Sequence, residues 1–126
     1  MGVEMSDQEK PSHEQMRGAL IDIAVESWRF SRLFLRLLSK LDAGQSSRFI
    51  NQHRFYLKRL DENLKQAEIR LVNVEGHPYD PGMAATALNA EDFSPEDALV
   101  VDHMVEPIIM GEEGLIKTGT VMLKKG

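Results

Sequence analysis

Two apolar stripes at helical spacing constrain this chain more than any other feature of its sequence. In the first, Met16, Leu20, Ile23, Ser27, Phe30, Phe34, Leu37 and Leu41 step by three and four residues, with Ser27 the only polar member. In the second, Ile50, His53, Leu57, Leu60, Leu64, Ala67 and Leu71 keep the same intervals. Such spacing puts each set on one face of a helix that packs at a shallow angle against another helix. Ala19, Ala24, Leu33 and Leu38 widen the first stripe, and Phe49 and Tyr56 extend the second. That width suits a helix bundle better than a strict two-stranded coil. Trp28 stands off the main stripe, either as a second packing contact or as a contact with a partner.

Local signals place the helix ends. Ser12 follows Pro11 and can cap a helix, and Gln15 stands where it completes a capping box. Gly44 is expected to stop the first helix in a left-handed turn, with Ser46 or Ser47 capping the second. The short loop makes the pair an antiparallel hairpin. A hairpin alone leaves each apolar face with one neighbour, and each exposed Leu or Phe forgoes about 1.5–3 kcal/mol of burial. The expectation is a dimer with a four-helix core, with Ile23, Phe30, Phe34, Leu37, Leu57, Leu60 and Leu64 in the contact. The rival arrangement folds the rest of the chain back over the hairpin.

Beyond residue 70 the pattern changes. Gly76-His77-Pro78-Tyr79-Asp80-Pro81-Gly82 fixes a loop, and Asp80 before Pro81 suits the start of a short helix over 83–89. Leu99 to Met110 is β-rich, and Pro107 should mark an edge, a bulge or a break between two strands. Gly111-Glu112-Glu113-Gly114 separates two apolar runs, as in a β-hairpin. Lys117 to Leu123 closes the module. The fold class is therefore α+β: a tail over 1–11, a helical hairpin and dimerisation domain over 12–70, and a small acidic β-rich partner-binding domain over 71–126.

Charge separates the two halves. Residues 71–126 hold three basic and ten acidic side chains, a balance of −7, against +2 for residues 1–70. The acidic half repels phosphate backbones and suits a basic protein surface, so no nucleic acid is expected as a partner. Arg29, Arg32 and Arg36 share a helix face, but arginines beside an apolar stripe are ordinarily solvated flanks. The acidic turns Glu91-Asp92 and Glu96-Asp97 are either solubilising surface or partner contacts. No run of about 18 apolar residues is present to span a bilayer, and the polar, acidic start is unlike a secretory signal, so no membrane partner and a cytoplasmic location are expected.

Chemistry is hard to assemble from these residues. The chain has no cysteine, and its four histidines, at 13, 53, 77 and 103, lack metal-ligand spacing. No phosphate-cradling glycine loop and no serine nucleophile motif occurs. The expectation is a non-enzyme without cofactor or metal.

The loop and the strands after it resemble the GrpE family, the nucleotide exchange factors of Hsp70 chaperones. Pro78-Tyr79-Asp80-Pro81 is similar to the family's aromatic-Asp-Pro loop, followed by the acidic turn from Glu91 to Pro95. Val100 to Met104 matches a strand, and Ile116-Lys117 with Val121-Met122-Leu123 the closing hairpin. The resemblance implies a homodimeric co-chaperone in which a small β domain wedges into the nucleotide-binding domain of an Hsp70-like ATPase and promotes ADP release. It further implies loop architecture from Pro78, Tyr79, Asp80 and Pro81, and partner contacts from Met104, Glu106, Met110, Glu112, Glu113 and Lys117. Met83-Ala84-Ala85 stands where the family carries His-Glu-Ala, and Pro107-Ile108 where it carries Gly-Tyr. The alternative is accordingly a dimeric adaptor on the same scaffold without exchange activity.

Overall fold

The computed structural model describes residues 10–126, so the expected tail over 1–11 lies almost wholly outside the described residues. Helix α1 spans His13–Leu38. Its first turn is closed by the expected capping box: the Ser12 hydroxyl accepts from the Gln15 amide at 3.0 Å, and the Gln15 side chain accepts from the Ser12 amide at 2.8 Å. Helix α2 spans Ala43–Lys65. Asp42, rather than Ser46 or Ser47, caps it, through a bond from the Gln45 amide at 2.8 Å. Gly44 therefore lies inside α2 and stops nothing. A carboxylate at this end also favours the helix dipole.

Six short strands follow: β1 Ile69–Val72, β2 Ala85–Ala87, β3 Leu99–Glu106, β4 Ile108–Gly111, β5 Gly114–Lys117 and β6 Gly119–Lys125. They form two three-stranded sheets, ordered β1-β4-β5 and β2-β6-β3. Pro107, which cannot donate to a ladder, stands between β3 and β4 where the chain passes from one sheet to the other. The β4–β5 hairpin pairs Gly111 with Gly114, as its loop sequence predicted. The α+β class with two helices before a β-rich region is thus as expected.

The short helix expected over 83–89 is absent. Residues 85–87 instead pair in parallel with 119–121. The Asn89 side chain prolongs that pairing, bonding the Leu123 carbonyl at 2.9 Å and the Leu123 amide at 2.8 Å. A strand needs a partner distant in sequence, which local periodicity does not report. Gly119 begins β6 under close packing: a Cβ there would meet side chains of Ile108 and Met104 at 2.9 Å.

Two apolar clusters join the hairpin to the β-rich head. Ile21, Ala24 and Val25 of α1 and Leu64 of α2 pack on Ile69 and Ile109. Trp28 enters the second cluster, among Ala85, Val101, Met104, Ile108, Val121 and Leu123. The head does fold back over the hairpin, on the face that carries these residues. Of the two readings of Trp28, the packing contact is the one observed.

Candidate functional site

The geometry of α1 gives it two working faces. Ile21, Val25 and Trp28 turn toward the head. Ile23 and Phe30 each stand two residues from a member of that set, about 160° away around the helix. They point outward: Met16, Ile23, Phe30 and Leu37, seven residues apart, are 50%, 61%, 66% and 60% exposed. Such a repeat on one helix face is what a second helix packs against. Tyr56 of α2 adjoins it and is also exposed.

Between the helices this outer face opens into a groove of about 410 Å³ lined by Phe30, Ser31, Phe34, Gln52, His53 and Tyr56. His53 forms its floor. It is buried, its Nε2 lies 2.5 Å from the Ser31 hydroxyl, and its ring stacks on Phe34 at 6.1 Å between centroids. Burial holds the imidazole below its ordinary pKa, and the positive charge of Arg32 adds to this, against a hydrogen bond to the Ser31 main chain. Serine beside histidine is also a nucleophile pairing. Ser31 lies mid-helix, however, where neighbouring amides are engaged in helix bonds and offer no oxyanion cradle.

The inner face of α1 is joined to the head by a polar clasp. The Trp28 indole N–H donates to the Met104 carbonyl at 3.0 Å. Arg32 lies over the Trp28 ring at 4.1 Å and pairs with Glu75 at 2.7 Å. Glu75 in turn accepts from the Met104 amide at 2.8 Å. Arg29 pairs with Glu106 at 2.5 Å, and Glu106 also accepts from the Thr120 hydroxyl. Two of the three arginines read as solvated flanks are therefore held by the head.

The sequence-predicted site residues fall into different environments. Met104 corrects the expectation most plainly: its side chain is fully buried among Trp28, Val101 and Val121, so it has no surface to offer a partner. Leu64 is likewise withdrawn from the dimer set, because it is buried against Ile69 and Ile109 within the chain. Leu57, Leu60 and Phe34 are half-buried; Ile23, Phe30 and Leu37 remain outward. Glu106 is engaged by Arg29, Met110 packs on the head core, and Lys117 is half-buried opposite Ile109.

Glu112 and Glu113 are exposed at the β4–β5 tip. Glu112 shares a hydrogen bond with Glu68 that raises the Glu68 carboxyl above its usual range, with the Glu112 charge as a further cause. Glu68 itself ends the turn after α2 at φ 58°, a left-handed conformation.

In the loop, the Asp80 carboxylate accepts from the Gly82 amide at 2.9 Å and the Asp80 carbonyl from the Met83 amide at 2.9 Å. Pro78 bridges to Val100, the Tyr79 amide bonds the Leu99 carbonyl at 2.8 Å, and the half-buried Tyr79 packs on the head core. Pro81 follows on the surface. Pro78 and Tyr79 thus tie the loop to β3, while Asp80 shapes the turn within it.

Among the described residues no group of three or more His, Asp or Glu side chains is placed to hold a metal ion, and no helix is long and apolar enough to cross a membrane. The Ser31–His53 bond and the Arg32–Glu75 pair went unread in the sequence, since each joins residues more than twenty positions apart. No family model matches the chain, and neither a curated protein nor a solved structure matches it.

Proposed function

We propose that the chain is a homodimeric protein-binding module that acts as a GrpE-like co-chaperone, using its acidic head to open the nucleotide-binding domain of an Hsp70-like ATPase and release ADP. The observation that supports this best is the outward stripe of Met16, Ile23, Phe30 and Leu37, which is left uncovered although the opposite face of the same helix already carries the head. A second hairpin laid on this stripe completes a four-helix core and leaves both heads free.

The area is adequate. Helices of 26 and 23 residues are about 39 and 35 Å long. With contact bands about 10 Å wide they offer on the order of 700 Å², near the roughly 800 Å² per partner of a standard interface.

For the head, the exposed carboxylates Glu91, Asp92, Glu96, Glu112 and Glu113 favour a basic partner surface. Preferential binding to the open nucleotide domain lowers nucleotide affinity by linkage, with no bond broken by this chain. The experiment is release of labelled ADP from a purified Hsp70-like nucleotide-binding domain of the same host. Faster release with added chain supports exchange activity; unchanged release without binding contradicts it.

A second function, a dimeric adaptor without exchange activity, draws support from one observation. Met83-Ala84-Ala85 leads into strand β2 rather than a helix. Binding to a partner that is not an ATPase of this kind would favour the adaptor.

A further inference from the structure

We infer that His53 makes the homodimer acid-sensitive: the ring forms the floor of the groove that a second copy covers, so its protonation separates the two copies while each fold persists. This inference rests on the dimer proposed above. Its basis is the position of one ionisable side chain in an otherwise uncharged recess. Of the groove's lining residues, Phe30, Phe34 and Tyr56 are aromatic, Gln52 and Ser31 are neutral, and only His53 titrates near neutrality.

The surroundings supply no counter-charge. From α1, Arg32 is the charged group that acts on the ring, and it is a cation. Its own partner, Glu75 on the segment after β1, is engaged with Arg32 and with the Met104 amide. On α2, the adjacent Arg54 is exposed and is also a cation. The carboxylates of Asp22 and Glu26 border the next recess along the stripe, on the far side of Phe30 and Tyr56. An imidazolium at position 53 has only neutral hydrogen-bond partners on Ser31, its hydroxyl and its main chain.

In a free hairpin the ring is largely buried already, but the groove above it stands open to water on one side. Under a second copy the same groove is closed by apolar side chains, so the charged ring is disfavoured there. The dimer then binds fewer protons than two separate chains, and by linkage its dissociation constant rises as pH falls into the range where the free chain's ring takes up its proton, which burial and Arg32 place below the ordinary histidine value. Each dimer buries two copies of the ring, which doubles the effect.

The test is sedimentation equilibrium of the full chain at pH 7.5 and pH 5.5, with His53→Gln in parallel and Trp28 emission recorded at both values. Expected is a dimer at pH 7.5 whose dissociation constant rises at least tenfold at pH 5.5, with Trp28 emission unchanged because it reports the head–hairpin core. His53→Gln, which keeps a polar side chain without the charge, remains dimeric at both values. A wild-type dimer equally tight at both values overturns the inference and leaves the dimer standing. A monomer at pH 7.5 overturns both. Dissociation of His53→Gln in step with wild type, or a red shift of Trp28 emission at pH 5.5, also overturns the inference, because another group or global unfolding is then responsible.

Discussion

The indole N–H of Trp28 donates to the main-chain carbonyl of Met104 at 3.0 Å, tying the middle of the first helix to the third strand of the head across 76 positions of sequence. Around that bond the chain becomes one body, because the same indole carries Arg32 on its face and the same Met104 donates its amide to Glu75. Trp28→Phe keeps most of the buried ring and removes the donor. It should destabilise the chain by about 1–2 kcal/mol, the cost of leaving a buried acceptor short of a partner. Urea unfolding followed by far-UV circular dichroism measures this, since the variant lacks its only tryptophan.

Arg32 and Glu75 form the clasp's ion pair, each about one-fifth exposed at the side chain. A double-mutant cycle with Arg32→Met and Glu75→Gln should return a coupling of about 1 kcal/mol. Glu75→Gln alone should cost less than Arg32→Met, because glutamine can still accept from the Met104 amide.

Met104 and Glu113 separate core from surface within the residues for which the resemblance implies partner contact. Met104→Ala removes a fully buried side chain and should cost about 2–5 kcal/mol in unfolding free energy. Glu113→Lys lies on an exposed turn and should change stability by no more than about 0.5 kcal/mol. It should instead weaken binding to a basic partner surface, and added salt should weaken the wild-type interaction in the same direction. Titration calorimetry against the nucleotide-binding domain measures both effects.

These cases show which parts of the fold were legible in the sequence. Features set by neighbouring residues could be read directly: the Ser12–Gln15 capping box, the break at Pro107 and the hairpin around Gly111 and Gly114. The helical stripes were also legible, but their use was not. Periodicity shows that Ile23 and Phe30 share a face; it does not show that the head takes the face carrying Val25 and Trp28. Strand β2 is not legible in the sequence because Ala85 pairs with Gly119 across 34 positions, while its small side chains fit a helix equally well. The cap of α2 lies at Asp42 rather than at Ser46 or Ser47, because a helix stop placed at Gly44 pushes the next start past the residue that caps it. The resemblance implies a partner contact for Met104, and a β-strand in isolation does not say that an α-helix will cover that side.

His53 contributes a pH dependence to folding. Its folded-state pKa is lowered by burial and by Arg32, so the unfolded chain binds the proton more readily. Stability from this group is therefore fully present above the unfolded value, about 6.5, and declines as pH falls from there toward the lower folded value. Urea unfolding between pH 8 and pH 5 should show wild type losing stability relative to His53→Gln over that interval. A difference that stays constant across the range would contradict the assignment.

The outward stripe is tested most directly by the mass of the chain in solution. Sedimentation equilibrium at micromolar concentration and pH 7.5 should give twice the 14.3 kDa chain mass for wild type. Phe30→Glu, which places a charge at the most exposed large apolar side chain of the stripe, should give the single-chain mass with an unchanged circular dichroism spectrum. A wild-type mass of one chain, or a Phe30→Glu variant as dimeric as wild type, would contradict dimerisation through this face.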